Sequence, residues 1–270
     1  MDQAAYDALL QDLTDEQEEL DDVIADLEDD AWATPTPATG WDVHDQIAHL
    51  AATEEWARRS LEDPDGFRAE LAEYAADPAR RAAGIRDGRI GRTKPDGVTT
   101  LDWWRENRRA TGDALRERAP SDRTPWFGPD MSVASFATAR VMETWAHGQD
   151  VVDALGRSRA PTARLRHVAE IGVRARPFAY GARGLDLPDR EVRVELVAPD
   201  GARWAWGPED ATDTIRGDAL DWCLVATQRR NPADTTLAVA GDAAEQWIGI
   251  VQAFAGPPTE HRSPGSVPRR

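Results

Sequence analysis

A carboxylate and an imidazole four residues apart, Glu143 and His147, lie in the stretch MSVASFATARVMETWAHGQDVVDALG, residues 131–156. Apolar periodicity reads the stretch as one helix, with Ser132 as N-cap and Gly156 just past its end. Residues at that spacing share a helix face, so the two side chains project together and Asp150 continues the row one turn later. Such a pair is half of a site for a divalent transition metal. The best candidate for the other half is His49, in WDVHDQIAHLAATEEWA. Two histidines and one glutamate leave coordination positions open, as a catalytic rather than a structural site requires. An E-x-x-x-H pair also arises by chance, and as a plain surface pair it does no chemistry. An inward setting is favoured because Arg140, Glu143, His147 and Asp150 run beside apolar Val141, Trp145, Val151 and Leu155.

The elements that must position these residues follow from the hydrophobic rhythm. Residues 3–29 carry Tyr6, Leu9, Leu13, Leu20, Ile24 and Leu27 at helical spacing, with an acidic run that reads as a solvated face. The prolines and glycine of TPTPATG end this helix. A second helix starts at Asp42, which forms a capping-box pattern with Asp45. Ile47, Leu50, Ala51 and Ala57 give it a core face, and Gln46, His49, Thr53 and Trp56 form the adjacent stripe. Residues 62–97 are rich in Asp, Arg, Gly and Pro, with one short helix around 67–76; a connection this long suits either a site-lining lid or a flexible insertion. A third helix is predicted over about 100–118, with Leu101, Trp104 and Leu115 inward. Four helices with a long middle crossover describe a four-helix bundle, whose facing side chains can build a metal site.

After Gly156 the character changes. The pattern predicts a helix over 165–180, two strands around Pro199-Asp200-Gly201, a helix over 218–228, a strand in TLAVAG and a last helix over 243–255. The fold class expected is therefore α plus α+β: a metal-binding bundle over 1–156, an α+β domain over 157–256 and a disordered tail over 257–270.

Composition excludes several functions. A net charge of −17 argues against nucleic-acid binding, which needs clustered Lys and Arg. Cys223 is the single cysteine, so there is no internal disulfide framework. No apolar run is long enough for a membrane span, and MDQAAYDALL lacks the basic start and apolar core of a signal peptide, so a cytoplasmic location is expected. His44 lies off the His49 face and reads as an exposed first-turn residue. His167 and His261 carry no motif, and Cys223 reads as a small core residue. Trp56, Trp104 and Trp145 either wall the site or pack the core.

The segments GWDVHDQIAHLAATE and WFGPDMSVASFATARVMETWAHGQDVVDALG resemble the mycothiol-dependent, maleylpyruvate isomerase-type branch of the DinB-like superfamily, and more closely a bacterial metal-binding subfamily with no assigned reaction. The resemblance implies a DinB-like bundle in which His49, Glu143 and His147 hold a divalent metal, zinc foremost, with Asp150 a candidate to steady a ligand. RGDALDWCLVATQRRNP and LAVAGDA are similar to a sterol-carrier-like C-terminal domain. In the thiol-dependent enzymes an external thiol, mycothiol, is made a thiolate by the metal, adds to a double bond, allows rotation and is expelled; a transferase stops at the addition or displacement. The implied protein is thus a metal- and thiol-dependent isomerase or S-transferase acting on a small molecule. An acidic substrate would need a cation, for which Arg140, Arg229 and Arg230 are candidates. A non-catalytic metal or small-molecule binding module, and a hydrolase using bound water, remain the rival readings.

Overall fold

Each long helix of the N-terminal part begins on a side chain that accepts a hydrogen bond from its first turn. Asp2 opens α1 (Gln3–Ile24). A short helix, α2 (Asp29–Trp32), follows. Asp42 and Asp45 form the reciprocal capping box of α3 (Val43–Glu62) at 2.8 and 3.1 Å. Asp63 caps α4 (Pro64–Ala76), Asp96 caps α5 (Gly97–Arg116) and Ser132 caps α6 (Val133–Ala154). Gly156, at φ +67°, turns the chain out of α6, where a side chain would be strained. The structure, a computed structural model, describes residues 1–79 and 96–267, so residues 80–95 of the expected 62–97 insertion lie outside the described residues. Two units are resolved, Met1–Arg157 and Ser158–Arg270.

In the first unit α1, α3, α5 and α6 close a ring: α3 packs on α5 and α6, and α1 packs on α6 and α5. Its apolar core comes in two clusters. One gathers Tyr6, Leu9, Leu13, Leu61, Leu115, Phe136 and Val141, and the other Leu20, Ile24, Ile47, Leu50, Leu101, Trp104 and Val151. The helix turns between them carry buried polar side chains instead: Gln17 on α1, Glu54 on α3, Thr111 on α5, Arg140 and Thr144 on α6. Thr111 donates to the Glu54 carbonyl at 2.9 Å and Gln17 donates to the Glu54 carboxyl at 3.4 Å, so this polar belt ties three helices together. Two short strands, β1 (Arg123–Thr124) and β2 (Met131–Ser132), clip the α5–α6 loop.

The second unit pairs helices with a mixed sheet. α7 (Leu165–Arg174) and α8 (Arg176–Ala182) precede β3 (Val192–Val197) and β4 (Arg203–Trp206), an antiparallel hairpin with Gly201 at φ +83° in its turn. β5 (Asp213–Asp218) runs parallel to β3 on its other side, α9 (Ala219–Ala226) follows, and β6 (Ala238–Ala240) pairs with β5 before α10 (Asp242–Ile250). Trp222 and Trp247, fully buried and edge-to-face at 5.3 Å, anchor its core.

The expected fold class, a four-helix bundle followed by a small α+β unit, is the one observed. Local differences have local causes. The helix expected over 165–180 breaks at Ala175 because Pro177 enters the first turn of a new helix. β5 was not anticipated: TDTIRGD has no apolar alternation, yet Asp213, Thr214 and Ile215 are buried. Residues 257–267, expected from composition to be disordered, lie along the second unit. Thr259 donates to Gln228 at 2.6 Å, the Arg262 carbonyl accepts from Asn231 at 2.8 Å, and Val267 is buried.

Asp21 shows how charge fastens α1 to α5. Its carboxylate accepts from Arg105 at 2.9 and 2.5 Å and from Arg108. Burial pushes its pKa up, but these guanidiniums outweigh burial and hold it below the usual value. A depressed carboxylate pKa gives stability that is present above the unfolded-chain value and is lost as pH falls. Asp21→Asn should therefore cost about 2 kcal/mol at pH 7, and the difference from wild type should shrink progressively as pH falls from about 4, the unfolded-chain value, through the lower folded one. Urea unfolding midpoints at pH 7 and at a series of pH values below about 4 measure both; a difference that does not shrink as pH falls contradicts the charge assignment.

Candidate metal centre

His49 comes from the middle of α3, and Glu143 and His147 from successive turns of α6. Nε2 of His49 lies 3.8 Å, and Nε2 of His147 3.3 Å, from the same Glu143 oxygen, Oε2. The three ligand atoms all fall within 4.8 Å of one another. Donors at about 2.1 Å from a tetrahedral zinc stand about 3.4 Å apart, so the spacing suits one ion with little movement. The side chains are 21, 19 and 13 % exposed for His49, Glu143 and His147, enough for a ligand to reach an open position. Burial raises the Glu143 pKa, but hydrogen bonds from His147 and His49 and the charge of Arg140 hold it well below the usual carboxylate range. The donor set is two nitrogens and one anionic oxygen, which fits zinc and its neighbours.

Gln46, one turn before His49, positions His147. Its Oε1 stands 2.5 Å from Nδ1 of His147, so the imidazole donates there and the ring is oriented with Nε2 toward Glu143. The Gln46 amide donates in turn to Thr36 Oγ1 at 3.0 Å, and Thr36 donates to the Trp41 carbonyl at 2.9 Å. Gly40, at φ +77°, lets this loop turn back. Trp41 is thereby laid over both imidazoles, stacked on His147 at 6.0 Å and edge-on to His49 at 5.4 Å.

The other sequence candidates fall as follows. Asp150 is completely buried, and Gln46 is a partner of His147 Nδ1. Arg140 is 2 % exposed, with its guanidinium 5.2 Å from the Trp126 ring and 5.8 Å from that of Phe136. Its charge acts on Glu143 and on Glu54, whose own pKa burial pushes up. Arg229 and Arg230 belong to the second unit, in the turn after α9, where they donate to the Thr227 and Arg229 carbonyls. His44 is buried, not exposed: Trp32 and α5 cover it, and Nε2 lies 2.7 Å from Thr100 Oγ1. Asp42, His44 and Asp45 also converge, but the two carboxylates form the α3 capping box. Trp56 packs in an aromatic cluster with Phe67, Tyr74 and Phe127. Gln46 and Trp41 were not foreseen as site residues; a polar residue on the His49 stripe was the available signal for Gln46.

A family model described as the mycothiol maleylpyruvate isomerase N-terminal domain matches residues 13–152, a span holding all three candidate ligands. The chain belongs to that family. Two uncharacterized proteins of Mycobacterium tuberculosis, MT0041 of strain CDC 1551 / Oshkosh and Rv0036c of strain H37Rv, are each 41 % identical over 251 residues, covering 93 % of this chain and 96 % of theirs. The crystal structure of the mycothiol-dependent maleylpyruvate isomerase superposes with a TM-score of 0.55 at 16 % identity, over 83 % of this chain and 89 % of that one. A mutant of the same enzyme matches equally well, at 15 % identity. At such identity the likeness is one of fold. Within the family, the Gln46 contact predicts that Gln46→Ala lowers metal affinity about 10- to 100-fold without unfolding the bundle. Chelator competition measures this, and an unchanged affinity would remove Gln46 from the site.

Proposed function

We propose that the chain is a divalent-metal protein, with His49, Glu143 and His147 as ligands and zinc as the metal, acting as a thiol-dependent isomerase or S-transferase on a small molecule. The observation that carries the reading is the convergence of those three donors from two helices, with Glu143 kept anionic and His147 held in one tautomer. With a divalent ion in place the site supplies the Lewis acidity that lowers the pKa of a thiol brought to it. Gln46 fixes the His147 ring, and Trp41 covers both imidazoles and keeps water from one side of them. Arg140 supports Glu143 from the interior by its charge, and we assign it that positioning role in place of direct contact with substrate.

A diffusible thiol is favoured over the chain's own. Cys223 is completely buried, its sulfur donates to the Leu165 carbonyl at 3.4 Å, and burial pushes its pKa well above the usual thiol value. A cysteine so placed is inert. The family name and the named structural neighbour make mycothiol the thiol, and a cis-alkene acid such as maleylpyruvate the substrate, to try first.

Elemental analysis of the purified protein should find about one divalent ion per chain, and His49→Ala and His147→Ala should lose it. Incubated with mycothiol and maleylpyruvate, the metal-loaded protein should convert the alkene, and either variant should be slower by more than about a hundredfold. Retention of the ion in both variants would end the ligand assignment. A bound ion with no response to any thiol would transfer the proposal to a binding module, or to hydrolysis where ester cleavage appears.

A further inference from the structure

The ring of four helices has a second seam, between α1 and α5, on the edge opposite the α3–α6 seam that holds the metal ligands. A cavity of about 250 Å³ opens there. On α1 it is lined by Leu10, Leu13 and Gln17, spaced three and four apart on one face. On α5 the lining is Arg108, Gly112 and Arg116, one helical row, with Arg109 beside it. The space exists because position 112 has no side chain: a Cβ there would meet only Arg116 Nη1, at 3.4 Å.

Charge at this seam runs against the molecule as a whole. In a chain of net charge −17, three guanidiniums gather around one small cavity. Two carboxylates share the rim, but Asp113 is engaged by Arg116 at 3.1 Å, and Glu18 lies in the field of Arg108. Arg108 already shares Asp21 with Arg105, and its Nε is buried with no hydrogen-bond partner among the described residues. Arg109 makes no hydrogen bond or ion pair to any described residue. Burial first, with the neighbouring charges of Arg109 and Arg105, pushes the Arg108 pKa down against the pull of Asp21 and Glu18. The apolar part of the lining is Leu10 and Leu13, with Thr14 and Gln17 beside them.

We propose that the cavity binds a small amphiphilic carboxylate, with the carboxylate among Arg108, Arg109 and Arg116 and the hydrocarbon on Leu10 and Leu13. A guanidinium cluster selects a planar anion, and an apolar lining selects a tail over a bare inorganic ion. The volume, below that of a drug-sized pocket, sets the size at that of hexanoate or benzoate. The site stands apart from the metal centre and does not rest on the reaction proposed for it.

Calorimetric titration of the full chain with hexanoate, benzoate, hexanol and inorganic phosphate tests the proposal. Either carboxylate should bind once per chain with a Kd of about 1 mM or tighter, while hexanol and phosphate should bind at least about tenfold more weakly. Arg109→Gln, at an exposed position, should weaken carboxylate binding about tenfold. Gly112→Leu, which favours the helix and fills the cavity, should abolish it with an unlowered melting temperature. His147→Ala should leave it unchanged. Absence of carboxylate binding, survival of binding in both Arg109→Gln and Gly112→Leu, or equal binding of phosphate or hexanol would each overturn the assignment.

Discussion

The constraint on which the N-terminal unit depends is the partial burial of the Glu143 carboxylate. A carboxylate withdrawn from water is stable only beside compensating charge and hydrogen bonds, because its desolvation otherwise drives it to take up a proton. Two imidazoles meet it from the open side, and Arg140 meets it from within. Arg140 must then be accommodated in its turn, and Glu54, Trp126 and Phe136 do this. The consequence reaches across the bundle as the belt of Gln17, Glu54, Thr111, Arg140 and Thr144 that separates the two apolar clusters. A leucine layer at that level would pack more simply and without desolvating charge, so stability alone does not account for the belt. Support of the anionic Glu143 side chain does.

The convergence of His49, Glu143 and His147 was legible in the sequence because helical spacing converts directly into shared direction. Glu143 and His147 needed only the i, i+4 rule, and His49 needed a second amphipathic helix with a histidine beside its core face. Gln46 was visible as a member of the His49 stripe but carried no chemical signature of its own; its role comes from which imidazole the tertiary fold sets opposite it. Trp41 was less accessible still, since its place over the imidazoles depends on the Gly40 turn and the Thr36 hydrogen bonds rather than on any periodicity. His44 misled for the same reason. Its position off the His49 face implied exposure, whereas Trp32 and Thr100 arrive from other elements to bury it.

In the second unit, element types followed composition while pairing did not. The β3–β4 hairpin was carried by alternation and by the Asp200-Gly201 turn, both local signals. β5 lies between β3 and β6, and its polar residues are satisfied by neighbours distant in sequence: Asp213 accepts from the Ala243 amide at 2.8 Å and forms an ion pair with Arg190 at 3.3 Å. A strand whose buried positions are polar leaves no hydrophobic pattern to read. The segment 257–267 illustrates the converse, since its proline-rich composition conceals backbone groups that Gln228, Asn231 and Gln252 hold in place.

Gln228 itself sits at φ +59°, a left-handed conformation that costs a side-chain-bearing residue about 1 kcal/mol or more. The fold sustains it because the Gln228 amide donates to the Val251 and Thr259 carbonyls, each at 3.2 Å, and its oxygen accepts from Thr259. The same bonds hold the C-terminal segment against the end of α9. The backbone bonds from Gln228 and Arg229 to Val225 and Leu224 close α9 through this conformation, while the Gln228 side chain shares with Asn231 and Gln252 the holding of a segment that composition marks as loose. A glycine at 228 would relieve the backbone but remove the bonds to Thr259, so the glutamine belongs there despite its dihedral angle.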